Sequence, residues 1–313
     1  MTEEIIKNPV IRQGWLRVLL FGALFILLTL LIAVPAAILV AGVPADQLKQ
    51  QPVAGLSSLL TGDYLWLLIL VELVISLICV GVFRVWIDRR PLVDQGWSAD
   101  GFLNEALTGF FMGPAILGIV ALVLVVTGHV EWSDVVWAPS SLFVSLGMMA
   151  LIAFSEEIVF RGYVLGRLME SIPNKWVALA VSAALFSAFH FPNPSIYALA
   201  FVNLFLAGLL LGINYIYTKN LWFSFLFHLS WNFFAGPILG FHVSGLSQPS
   251  LLQTETKGDL LITGGDFGLE GSILTTVVAA IAFFLLAWAF ERKYSSSAAP
   301  AKEPPLTPPA RAC

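Results

Sequence analysis

Residues 155–163 read SEEIVFRGY, two adjacent glutamates and an arginine at the end of the apolar run SLFVSLGMMALIAF. A desolvated carboxylate is a serviceable general base for a water molecule. Glu157 and Arg161 stand i, i+4 with the acid first, the favourable order for a helical ion pair, and a purely structural pairing accounts for them equally well. Glu156 lies about 100° further around the helix, so it needs another partner. Two later segments offer candidates. FSAFH sets Phe186 and His190 four apart, and HLSWN does the same for His228 and Asn232. An imidazole beside the carboxylate can share or orient the water. A second imidazole and an amide NH2 can donate to the oxyanion of a tetrahedral intermediate. That set describes amide hydrolysis. Glu156, His190 and His228 would equally make three zinc ligands with an open fourth position, although the HExxH helix of zincins is absent. The residue types leave both versions open.

The elements that carry these groups follow from composition. With 58% hydrophobic and 12% charged residues over 313 positions, the chain is too apolar for a soluble domain and reads as an all-α integral membrane protein. Runs of roughly 20 apolar residues suit a hydrocarbon core about 30 Å thick, and about eight are present. They cover residues 16–41, 64–87, 106–127, 141–163, 176–190, 196–217, 221–239 and 272–290. With both termini cytoplasmic, all Lys and Arg except Lys49 and Lys257 fall on or beside the cytoplasmic side, as the positive-inside rule requires. The motif AVPAA resembles a signal-peptide cleavage site, but the apolar core before it is too long, so a retained first helix is expected. Residues 1–293 then form a single transmembrane domain, and the Pro- and Ala-rich stretch 294–313 a disordered cytoplasmic tail. A net charge of -4 excludes a basic face for nucleic acid, and Cys79 and Cys313 give no disulfide framework.

Depth brings the polar residues together. Counted from the inner helix ends, Glu156 lies roughly 18 Å deep, His190 roughly 21 Å, His228 roughly 12 Å and Asn232 roughly 18 Å. All four share one slab of membrane. A lone histidine in an apolar helix is usually a satisfied core residue, whereas an unpaired glutamate, two histidines and an asparagine at one depth form a candidate active site.

The three motifs EEIVFR, FSAFH and HLSWN, in that order, resemble the EExxxR, FxxxH and HxxxN motifs of the CAAX protease and bacteriocin-processing family of intramembrane endopeptidases. This family, also called CPBP or Abi, is related to the type II CaaX prenyl endopeptidase. The resemblance covers about residues 95–290, and LLITGGDFGLEGS resembles a stretch common in bacterial members. It implies an eight-helix endopeptidase of a bacterial cytoplasmic membrane that acts on membrane-embedded or lipidated proteins or peptides. Glu156 would activate water with His190, His228 and Asn232 would form the oxyanion hole, and Glu157, Arg161 and Phe186 would support the site. A metal-free, glutamate-dependent mechanism is the version the resemblance favours, with zinc as the mechanistic alternative. A non-catalytic membrane scaffold or bacteriocin-immunity factor of the same fold is the alternative function. A transporter ranks below both, because no internal repeat pairs the buried acids.

Other residues carry smaller expectations. Glu72 lies about 12 Å inside the second span, where an acid calls for a partner; Asn203 and Asn214 are the candidates, and a structural role ranks above a substrate-gating or proton-path one. His129 and His242 fall in outer loops. Trp15, Trp66, Trp86, Trp176 and Trp222 at span ends, and Trp97 and Phe102 between spans two and three, read as interfacial anchors.

Overall fold

The computed structural model describes residues 8–41, 65–92, 95–98 and 102–295. Lys49 and the tail beyond residue 295, expected to be disordered, lie outside the described residues. In hydrocarbon each backbone N–H and C=O must be paired within the chain, so a sequence this apolar resolves into helices.

All eight expected segments are helical. Helix α1 runs through Gly14–Leu28, a π turn at Thr29–Ala33 and Val34–Ala41. Helix α2 is Leu65–Val82 closing in a π turn at Phe83–Ile87, and α3 is Phe102–Val126. Helix α4 spans Pro139–Ser171, with a π segment at Ile158–Leu165. Helix α5 is Lys175–Phe189, α6 Ala198–Thr218, α7 Trp222–Phe233 with a π turn at Phe234–Ile238, and α8 Ile273–Ser295. Six are long and apolar enough to cross a membrane; α5 and α7 are not among them. The 15 residues of α5 reach only about 22 Å, short of a 30 Å core, so six of the eight expected segments have the length of a full span and two are shorter helices.

Small departures from an all-α fold lie at one end. Strands β1 (Val130–Val135) and β2 (Leu252–Thr256) pair antiparallel, with a bulge between Trp132 and Asp134, and join the α3–α4 connection to the α7–α8 connection. At the opposite end a charge cluster closes the bundle. Arg17 of α1 meets Asp88 at 2.6 Å and Glu170 at 2.5 Å, while Arg167 reaches the same two acids at 3.3 and 2.9 Å. The Asp88 side chain is wholly buried. Gly14 also donates its N–H to Ser171 Oγ at 2.6 Å. The first helix, which holds none of the three motifs, is thereby bound to the helix that carries Glu156.

Helix α7 gets its position from α3. The stretch GFFMG places Gly109 and Gly113 on one face of α3, the small-xxx-small spacing that lets membrane helices approach closely. A Cβ at Gly109 would sit 2.3 Å from the carbonyl oxygen of Phe223, and one at Gly113 2.7 Å from the backbone nitrogen of Trp231. The tryptophans divide. Trp15, Trp66 and Trp86 are exposed on helix surfaces, as anchors should be. Trp97 instead packs inward against Phe154 at 5.3 Å and Trp222 at 5.1 Å. Apolar neighbours on α4 and α7 offer this ring more contact than an interface does.

The α3–α7 contact predicts that Gly109→Val forces these helices apart, because both atoms in the clash are held by backbone. A loss of about 1–3 kcal/mol is expected, measured as earlier thermal unfolding in detergent, while Gly22→Val, where no neighbour stands in the way, leaves the transition unchanged.

Candidate active site

The two glutamates of α4 stand where its α-helical part ends and its π segment begins, a widened turn of the kind that recurs at functional sites. Their surroundings differ sharply. Glu157 is 0% exposed, and its Oε1 accepts from Arg161 Nη1 at 2.7 Å and from His228 Nδ1 at 2.8 Å. Arg161 also donates to the Gly208 carbonyl of α6 at 3.2 Å and lies 4.5 Å over the ring of Phe186 on α5. One carboxylate and one guanidinium thus connect α4, α5, α6 and α7.

Glu156 has a different neighbourhood. Its Oε2 lies 3.8 Å from His190 Nε2 and 3.9 Å from His228 Nε2, and it has no hydrogen-bond partner among the described residues. These separations exceed a direct hydrogen bond and are short enough for one water to span.

Local backbone geometry aims both rings. Helix α5 ends at Phe189, and His190 N–H turns back to Ser187 O in a tighter turn, leaving the Phe186 carbonyl free. The His190 ring donates its Nδ1–H to that carbonyl at 2.8 Å. The FxxxH spacing therefore orients the histidine through the backbone, while the Phe186 ring packs 4.6 Å from His190 and 6.1 Å from His228. Because a carbonyl and a carboxylate accept only, both imidazoles carry their proton on Nδ1. In the neutral rings both Nε2 lone pairs then face Glu156.

These groups line a cavity of about 140 Å³ between α2, α4, α5, α6 and α7, with Glu156, His190, His228 and Asn232 on its wall. At about 10–15 Å³ for the smallest water site, it has room for an attacking water and part of a substrate. All seven predicted site residues are therefore brought together: Glu156, Phe186, His190, His228 and Asn232 on the cavity, with Glu157 and Arg161 behind it.

Other features of the site were beyond the reach of the sequence reading. The Glu157–His228 contact links two distant motifs. Glu72 lines the cavity rather than meeting either expected asparagine. Asn203 donates to the Glu270 and Ser272 carbonyls at 2.8 and 2.9 Å, and Asn214 accepts from Thr218. The reason is directional. Leu204, Ala207 and Leu211 are the α6 residues on the cavity, while Asn203 turns to the segment preceding α8. Glu270 was also missed; it accepts from Trp231 Nε1 at 2.8 Å and from the Ser244 N–H at 2.6 Å. Its signal was an acid within the glycine-rich LLITGGDFGLEGS.

The chemistry of Glu156, His190 and His228 suits zinc, since two neutral Nε2 atoms and a carboxylate are common ligands. Among the described residues, however, no group of three His, Cys, Asp or Glu stands in an arrangement that would hold a metal ion.

The unequal burial of the two glutamates predicts unequal stability effects. Arg161→Ala, which strips Glu157 of its counter-charge, should cost about 3–5 kcal/mol, whereas Glu156→Gln should change stability by less than about 1 kcal/mol. Thermal unfolding of the two variants in the same detergent measures the contrast.

No curated protein and no solved structure matches the chain. Residues 136–234 match the family model described as Type II CAAX prenyl endopeptidase Rce1-like. That stretch, about a third of the chain, contains Glu156, Glu157, Arg161, Phe186, His190, His228 and Asn232, so the similarity to this family falls on the segment that builds the site.

Proposed function

We propose that this protein is an intramembrane endopeptidase that hydrolyses peptide bonds in membrane-embedded or lipid-modified proteins or peptides. The observation that carries the reading is the convergence of Glu156 Oε2 with the Nε2 atoms of His190 and His228 on one cavity. The similarity of residues 136–234 to the type II CAAX prenyl endopeptidase family model supports it.

The geometry supports the following division of labour. A water held between Glu156 Oε2 and His190 Nε2 passes a proton to Glu156 as its oxygen attacks the scissile carbonyl. The oxyanion that forms is met by the Asn232 amide N–H and by His228. With Nδ1–H already given to Glu157, His228 donates from Nε2 only as the imidazolium. Glu157 at 2.8 Å and Glu156 at 3.9 Å supply the counter-charge. Glu156 then delivers its proton to the leaving nitrogen as the C–N bond breaks, which restores the starting carboxylate. Glu157, Arg161 and Phe186 act by holding His228 and His190 in place.

The placement in a bacterial cytoplasmic membrane, with both termini cytoplasmic, belongs to the same proposal. The cluster of Arg17, Arg90 and Arg167 at one end of the bundle supports that sidedness.

Two measurements test this reading. Mass spectrometry of membrane fractions should find peptides with new C-termini that vanish in Glu156→Gln at equal protein abundance. The purified variant should lose about 10²–10⁴-fold in rate. Identical peptide lists under several growth conditions would favour the non-catalytic scaffold or immunity factor. Metal dependence is a separate matter. Under the glutamate mechanism, dialysis against a chelator leaves cleavage intact and elemental analysis finds less than one zinc per chain. Loss of cleavage with recovery on added zinc would select the zinc version instead.

A further inference from the structure

The cavity wall holds more acid than the hydrolytic chemistry uses. Glu72, Glu156 and Glu270 all line it, and among the described residues no lysine or arginine does. Glu270 is held by Trp231 and Ser244, and Glu156 faces two imidazoles with its buried Oε2 unpartnered. Glu72 differs from both. It is half-buried within α2 and makes no hydrogen bond or ion pair among the described residues.

Its position on α2 gives the unmatched acid a direction. Leu65, Leu68, Ile69 and Glu72 fall at i, i+3, i+4 and i+7, a single helix face, and all four line the cavity. An extended segment lying against this face would meet apolar side chains first and a carboxylate last, on the wall that also holds Glu156. An acid kept at membrane depth normally faces a partner. Here the space in front of it is the substrate cavity, so the missing partner is a group the substrate brings.

We propose, building on the peptidase reading above, that Glu72 is a specificity residue that selects a substrate segment carrying a lysine or arginine side chain within an otherwise apolar stretch. The cation sits against the Glu72 carboxylate, and the apolar residues beside it lie on Leu65, Leu68 and Ile69. Acidic segments are disfavoured by the same three carboxylates.

The test separates recognition from hydrolysis. Short apolar peptides with lysine scanned through each position, and matched norleucine and glutamate versions, are titrated against the Glu156→Gln protein in nanodiscs. The same proteins with Glu156 intact are then assayed for cleavage. At one lysine position, binding should exceed that of norleucine on the order of tenfold. Adding Glu72→Gln should abolish the preference, and adding Glu72→Lys should turn it towards the glutamate peptide. Equal affinities for lysine and norleucine peptides at every position, or a preference that survives Glu72→Gln, would overturn the assignment. A lysine preference without any cleavage would sink the peptidase reading and leave the cation site standing. Cleavage without a lysine preference would do the reverse.

Discussion

Everything at this site hangs on one buried carboxylate. Glu157 is wholly removed from solvent, and such an anion persists in an apolar bundle only when a hydrogen-bonded counter-charge matches it. Arg161 matches it from one turn away on the same helix, and His228 takes up the same oxygen from another helix. Because Arg161 also reaches Gly208 and the Phe186 ring, satisfying this one group sets the spacing of four helices. The packing of the bundle and the aim of its imidazoles are thus consequences of a single electrostatic requirement.

Two neighbouring residues of identical type consequently do opposite things. A step of about 100° around α4 takes the carboxylate from a closed ion pair to the wall of a cavity. Glu157 holds Arg161 and His228 through its Oε1, whereas the Oε2 of Glu156 stays without a hydrogen-bond partner and faces the two imidazoles. The π segment that follows them widens the helix where both must find partners, and the tight end of α5 frees a carbonyl to orient His190. Backbone irregularity is concentrated where side chains need special placement.

Elements without any chemical motif contribute by holding the helices that have one. The Arg17, Asp88, Arg167 and Glu170 cluster binds the first helix to the far end of α4. The close glycine contact with α3 supports α7, and the small β1–β2 sheet ties two connections together at the other end. The polar groups thereby stay fixed in a medium where water could not replace a lost partner.

The helices and the site composition were legible in the sequence because both signals are local. Apolar length marks a helix in a membrane, and an i, i+4 spacing marks a shared helix face. So EEIVFR, FSAFH and HLSWN announced the Glu157–Arg161 pair and a set of four groups at common depth. What stayed hidden depended on directions between helices. Glu72 called for a partner by its depth alone, but nothing in ILVELVIS says which way α2 is turned, and the asparagines proposed for it face elsewhere. Glu270 sat in a glycine-rich connection whose path no periodicity reports. The shortness of α5 was visible, yet whether a 15-residue helix crosses or merely inserts is decided by its neighbours. The sequence by itself determined the membrane class, the helical segments and the chemical inventory of the site, since each rests on residue type and near spacing. Only the tertiary structure decided that His228 leans on Glu157, that both Nε2 atoms face Glu156, and that Glu72 opens onto the same cavity. Contacts between helices far apart in the chain depend on rotations and packing that no short stretch encodes.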